Sequence, residues 1–212
     1  GDVIIEWLAK QPVTRYKVST VVDNFLLSQR PYIFLDYTWS EGSRFSNWMN
    51  LTVTPKGNRK YSAPVIALTS AYCFSACDTF TSALKTNRLA TILGEPTGGG
   101  TGSPLVISLP SSGFKFRYSV VRGLTANDEA IEGVGTTPDV TVEPTVEDRM
   151  TGSDSQLNRA ISLLSQGQTI PNSIAVESAS GLIQQPVWFQ PLEISPTLFE
   201  QLELRRLQQD EI

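Results

Sequence analysis

The sequence predicts an α/β fold: a βαβ unit extended by a β-hairpin and followed by C-terminal helices. Three observations carry this reading. Residues 63–69 and 89–93 are short, continuously apolar runs, the composition of strands covered on both faces. Between them, residues 75–87 place Ala76, Phe80, Ala83 and Leu84 on one helical face. Beyond them, residues 104–109 and 114–121 flank Pro110-Ser-Ser-Gly113, a turn signal that makes the two runs a hairpin.

In chain order, residues 2–9 open on an N-capping Asp2 and carry apolar positions at helical spacing, which predicts a short helix. Residues 17–27 suit a helix and an extended segment equally. Residues 31–36 read as a strand. Residues 39–61 are polar, with Trp39, Trp48 and Met49 scattered through them, and predict a long loop or small subdomain. Strand 63–69, helix 75–87 and strand 89–93 then form the βαβ unit, with the right-handed crossover that such units take. After the hairpin, residues 139–143 predict another short strand. Residues 154–166 predict a helix with Asp154 as N-cap and Leu157, Ala160, Ile161 and Leu164 at helical spacing. From Gly167 the chain is rich in Pro and Gln, and residues 196–209 predict a closing amphipathic helix, suited to docking on the core or on a second subunit of a homodimer. The domain expectation is therefore one unit over 1–166 and an extension over 167–212.

Composition excludes several classes. The 212 residues are 40% hydrophobic with a net charge of −4, ordinary for a globular chain. No basic run interleaved with aromatics points to nucleic acid. No apolar stretch approaches the roughly 18 residues of a membrane span. Gly1-Asp-Val-Ile-Ile5 has neither an initiator Met nor a signal peptide, and reads as a processed or trimmed start. Cys73 and Cys77 are the two cysteines, and the chain has no His. That set makes no zinc site. If both lie about one helical turn apart, their geometry is poor for a disulfide, so two buried thiols are expected. No metal and no cofactor is implied.

Ser75 stands where the first strand of the βαβ unit turns into its helix. Reactive groups of α/β sheets gather beyond the carboxyl ends of parallel strands. The Ala76 N–H would lie in the first helical turn, unpaired and dipole-polarised, as an oxyanion donor must be. The plainer alternative is that Ser75 only caps the helix. The Gly98-Gly-Gly100 run lacks the Gly-Lys-Ser/Thr of a phosphate loop and opens no helix, so it is not read as a nucleotide site.

The spacing of several blocks resembles that of the C-terminal processing, or tail-specific, serine proteases. Ser75-Ala-Cys-Asp78 matches the Ser-Ala-Ser-Glu of that family. Asn87-Arg-Leu-Ala90 and Gly94-Glu-Pro-Thr97 match its second block, and Gly133-Val-Gly-Thr-Thr-Pro-Asp139 its last. The resemblance covers about residues 62–166 and implies a ClpP/crotonase-like core with Ser75 as nucleophile. One departure matters: the position of the family's catalytic Lys is Gly100. Lys85 is no substitute, roughly 15 Å along the helix.

The branch typified by the chlamydial protease-like activity factor is similar in lacking that Lys. There the base is a His from the N-terminal part, oriented by a Glu in a motif like that of Ala130-Ile-Glu-Gly-Val134. The resemblance thus implies Glu132 as the group that fixes the imidazole, with Ser75 and the Ala76 N–H beside it. Gly98, Gly99, Gly100 and Thr101 are read as room for an approaching substrate backbone, the strand over residues 101–106 pairing with an extended peptide by strand addition. The resemblance implies a polypeptide substrate, an upstream half of the same protein as partner and source of the His, and a bacterial extracytoplasmic location. The alternative is a non-catalytic member of the fold that binds peptides or hydrophobic ligands.

Overall fold

The structure, a computed structural model, describes residues 1–29, 36–57 and 61–167. Among them the elements run α1 (Asp2–Leu8), β1 (Val13–Thr20), α2 (Asn24–Gln29), β2 (Met49–Val53), β3 (Ile66–Thr69), α3 (Ala76–Thr86) and β4 (Thr91–Gly94). They continue with β5 (Leu105–Ser108), β6 (Lys115–Tyr118), β7 (Val121–Leu124), β8 (Val140–Thr141), α4 (Val146–Thr151) and α5 (Ser155–Ser165). The expected strand at 31–36 lies, but for Asp36, outside the described residues. So does the C-terminal extension, with its helix at 196–209. No described helix is long and apolar enough to cross a membrane.

The βαβ unit is present. β3 and β4 pair in parallel from Ile66↔Thr91 to Thr69↔Gly94, and β8 adds to β4 in the same sense. One face of this sheet packs Ile92 against Ala83 and Leu84 of α3, Ile5 and Ala9 of the N-terminal segment, and Val53. The other packs Leu93 against Ala160 and Leu163 of α5. Alternation along β4 therefore sends successive side chains into two different cores. The strand expected to be covered on both faces departs from this at Leu68, which is 42% exposed. β3 is the edge of the described sheet, with β4 on one side and no described strand on the other.

A second sheet, ordered β2-β1-β7, is antiparallel throughout. It resolves two open expectations. Residues 17–27 divide into the end of β1 and most of α2. Residues 39–61 contain β2, whose Met49, Leu51 and Val53 alternate with Asn50 and Thr52, the signature of a half-buried strand. Phe45 and Trp48 of that segment clasp the Arg122 guanidinium, whose centre lies 3.6 and 5.1 Å from their rings. Burial holds the Arg122 pKa below its ordinary value.

The hairpin is shorter than expected. β5 and β6 pair from Leu105↔Tyr118 to Ser108↔Lys115. The second arm then leaves: the N–H groups of Val120 and Val121 both donate to Gly102 O, and β7 crosses to β1. Tyr16, Val18, Leu105, Val120 and Ile131 form the core beneath this crossing. α4 was not expected; its signal is the Thr145-x-x-Asp148 capping box. α5 has its expected Asp154 cap. Its buried face is Ala160 and Leu163, while Leu157, Ile161 and Leu164 are exposed.

Candidate active site

β3 ends at Thr69, and the Cys73 N–H donates to Ser70 O at 2.9 Å to begin the turn. Ser75 follows at φ 60° and ψ −115°. A side-chain-bearing residue rarely adopts a positive φ, at a cost of order 1–3 kcal/mol, and such strain clusters at functional turns. α3 starts at once, the Thr79 N–H donating to Ser75 O at 3.2 Å. Ser75 is thus exposed at the mouth of an 11-residue helix. No described residue accepts from the Ala76 N–H, which leaves it as an available donor beside Ser75.

The cysteines do not behave as expected from their spacing. Cys73 and Cys77 form a disulfide, their Cα atoms 5.2 Å apart. The one-turn geometry does not apply, because Cys73 precedes the helix and Ser75 bends the chain back between them. Cys73 is buried, and Cys77 is exposed.

The glycine segment folds against this turn from the other side. Gly98 N–H donates to Cys73 O at 2.8 Å. Gly99 and Gly100 N–H groups donate to Asp78 Oδ1 and Oδ2, each at 3.0 Å. Asp78 Oδ2 also accepts from the Ser75 N–H at 2.9 Å. Side chains are excluded here on steric grounds. A Cβ on Gly100 would lie 1.8 Å from Phe74 Cζ, and one on Gly99, at φ +71°, 2.7 Å from Gly135 N. All three glycine amides are committed to acceptors within the chain, which leaves none for a phosphate.

Glu132 closes the site from a third segment. Its Oε2 accepts from both the N–H and, at 3.0 Å, the hydroxyl of Thr101. Among the described residues its Oε1 accepts one long bond, 3.5 Å, from Ser119. The turn is anchored by the fully buried Ile131 and by Gly133 N–H donating to Gly99 O at 2.6 Å. Thr101 is itself buried, and its carbonyl accepts from the Tyr16 hydroxyl at 3.3 Å. Burial above all raises the Tyr16 pKa; the Thr101 bond opposes that rise and the charge of Glu132 adds to it.

Ser75, Gly98, Gly99, Gly100, Thr101 and Glu132 therefore belong to one hydrogen-bonded assembly of three segments, with Ala76 next to Ser75. Lys85 is held elsewhere, donating to Thr137 O at 2.6 Å and pairing with Asp139 at 3.2 Å. Asp139 also accepts from the Ile92 N–H, so the Pro138-Asp139 pair serves the sheet. Among the described residues, no cluster of three or more His, Cys, Asp or Glu could hold a metal. The arrangement offers an exposed hydroxyl on a strained turn, a nearby backbone donor and a fixed carboxylate. It offers no imidazole, since the chain has no His.

The sequence model of peptidase family S41 matches residues 8–142. The carboxy-terminal-processing protease of Bartonella bacilliformis is 30% identical over 97 residues, covering 46% of this chain and 22% of its own length. The crystal structure of a candidate peptidase from Parabacteroides merdae is 26% identical, with a TM-score of 0.60 over 77% of this chain and 46% of that one. Mature CPAF complexed with lactacystin superposes with a TM-score of 0.65 at 17% identity, over 78% of this chain and 41% of that one. The last is a likeness of fold. The chain spans about a fifth of the curated relative and under half of these solved structures.

Proposed function

This chain belongs to peptidase family S41, and we propose that it is the nucleophile-bearing part of a serine endopeptidase. The observation that carries the reading is Ser75 on its positive-φ turn, tied through Asp78 to the glycine segment whose next residue, Thr101, holds Glu132. In this reading an imidazole from a part of the protein outside this chain takes the Ser75 hydroxyl proton as Oγ attacks the peptide carbonyl. Glu132 accepts from the other imidazole N–H, fixing the tautomer and stabilising the imidazolium. The Ala76 N–H donates to the developing oxyanion. Expulsion of the amine, with the proton returned by the imidazole, leaves an acyl-Ser75 that water hydrolyses.

The substrate is an extended polypeptide. β5 has a single strand neighbour among the described residues, which suits addition of a peptide strand. Gly98 to Thr101 form the wall of the site, their amides engaged within the chain. The upstream part of the protein is the partner that brings the base. The open edge of β3, with the adjoining apolar groove lined by Val3, Ile4, Trp7 and Tyr61, supports a docking place for it. The Cys73–Cys77 bridge supports an oxidising, extracytoplasmic compartment.

The absence of His favours a second reading, a peptide- or ligand-binding member with no base anywhere. Fluorophosphonate labelling read by intact mass separates the two. This chain alone is compared with the chain joined to its upstream part. Labelling is expected at Ser75 in the joined protein and lost in Ser75→Ala. No labelling in either form, with the joined protein folded, favours the binding reading.

A further inference from the structure

Asp78 is an acid with no exposed surface, 0% accessible, in a chain otherwise free to keep its carboxylates in water. Its two oxygens instead accept three backbone N–H groups: Ser75 at 2.9 Å, and Gly99 and Gly100 at 3.0 Å each. Ser75 lies 3 residues from Asp78 in sequence, and the two glycines 21 and 22 residues from it. A buried carboxylate accepting two or three backbone amides is satisfied without a cation. The position next after these glycines, Thr101, is the one that binds Glu132.

We infer that Asp78 is the positioning residue of the site: it holds the nucleophile turn and the Glu132-bearing wall in one register. This rests on the reading of Ser75 as nucleophile. Without Asp78 the strained φ of Ser75 loses a partner that sustains it, and the distance between nucleophile and carboxylate is no longer set. The side-chain chemistry is demanding. An Asn at this place would turn an NH₂ toward at least one of three N–H donors, so the bond to that amide is lost while the shape stays.

The test uses the protein joined to its upstream part, as wild type and Asp78→Asn. Hydrogen exchange at Ser75, Gly99 and Gly100 is read beside the rate of fluorophosphonate labelling and the kcat and KM for a peptide. Faster exchange is expected at these amides in the variant. Labelling and kcat are expected to fall by about tenfold or more, the scale of one bond to a charged acceptor, with KM little changed. Asp78→Glu, which keeps the carboxylate, is expected to label faster than Asp78→Asn at matched stability. Unchanged labelling in Asp78→Asn, or equal labelling in both variants, overturns the inference while leaving Ser75 as nucleophile. If wild type itself does not label, the nucleophile reading fails and exchange alone decides the tie: exchange no faster at the three amides overturns it. If Asp78→Asn does not fold, wild-type exchange decides, since the three amides must then open as one unit, and separate openings overturn the inference.

Discussion

Glu132 presents two unequal oxygens. Oε2 is occupied by two donors of Thr101, whereas Oε1 has, among the described residues, the one 3.5 Å contact from Ser119. Oε1 is therefore the oxygen that would receive an imidazole N–H. Glu132→Gln keeps the size of the side chain but presents an amide that cannot both satisfy Thr101 and accept from the imidazole. We expect kcat on a peptide to fall by about 10⁴-fold, the scale seen when the orienting carboxylate of a serine protease triad is amidated, with KM nearly unchanged. Steady-state kinetics of the joined protein checks this, and wild-type kcat in the variant removes Glu132 from the mechanism. At this scale residue types and spacing bring Ser75 and Glu132 forward as candidates, since both stand in recognisable blocks. The sequence was silent on Asp78, whose type is plain but which joins the nearby Ser75 amide to two glycines brought back by the fold. It misled on Cys73 and Cys77, because spacing alone does not show that the chain reverses at Ser75.

The turn between β3 and α3 is short, and it is fastened both covalently and by hydrogen bonds. The Cys73–Cys77 bridge spans a sequence separation of 4 around Ser75. Closing so small a loop restricts the unfolded chain by about 2 kcal/mol in the entropy account of cross-linking. Reduction, or the Cys73→Ser/Cys77→Ser pair, is therefore expected to lower the unfolding free energy by that amount, read as a fall in the urea midpoint equal to it divided by m, and to slow labelling of Ser75. Thiol alkylation before and after reductant verifies the bridge itself. Full alkylation of both cysteines without reductant dismisses it, and an unchanged midpoint dismisses its contribution. Elements with strong local signals were legible: α3, α5 and the parallel strands follow from apolar runs and caps. The divided hairpin was not. Residues 114–121 read as one continuous strand, and only Gly102, accepting from Val120 and Val121, parts β6 from β7. β2 was legible in principle from its alternation, but it lies in a polar segment whose partner, β1, is distant in sequence.

At the scale of the molecule, the described sheet is unequal at its two sides. β4 is enclosed, with Ile92 and Leu93 fully buried, while β3 stands at the edge with Leu68 42% exposed and Trp7 of the neighbouring α1 51% exposed. A parallel sheet is ordinarily covered on both faces, because its strands are apolar throughout. Such coverage cannot be deduced from the sequence of β3, which reads as fully buried whether or not its neighbour belongs to the same stretch of chain. In the proposed protein the base-bearing upstream part supplies that cover, so the surface that completes the core also delivers the imidazole to Ser75. Leu68 and Trp7 are each about half exposed, so part of each side chain already packs within the chain, and Leu68→Asp and Trp7→Ala should lower its thermal midpoint while leaving it folded. In a mixture of this chain with its upstream part, made as two pieces, the same substitutions should weaken association by about 1–3 kcal/mol, since each removes a large apolar contact or buries a charge. Titration by sedimentation or calorimetry, with Ser75 labelling followed in parallel, measures both. Association and labelling that survive both substitutions place the upstream part on another face, and the apolar groove beside β3 then serves some other end.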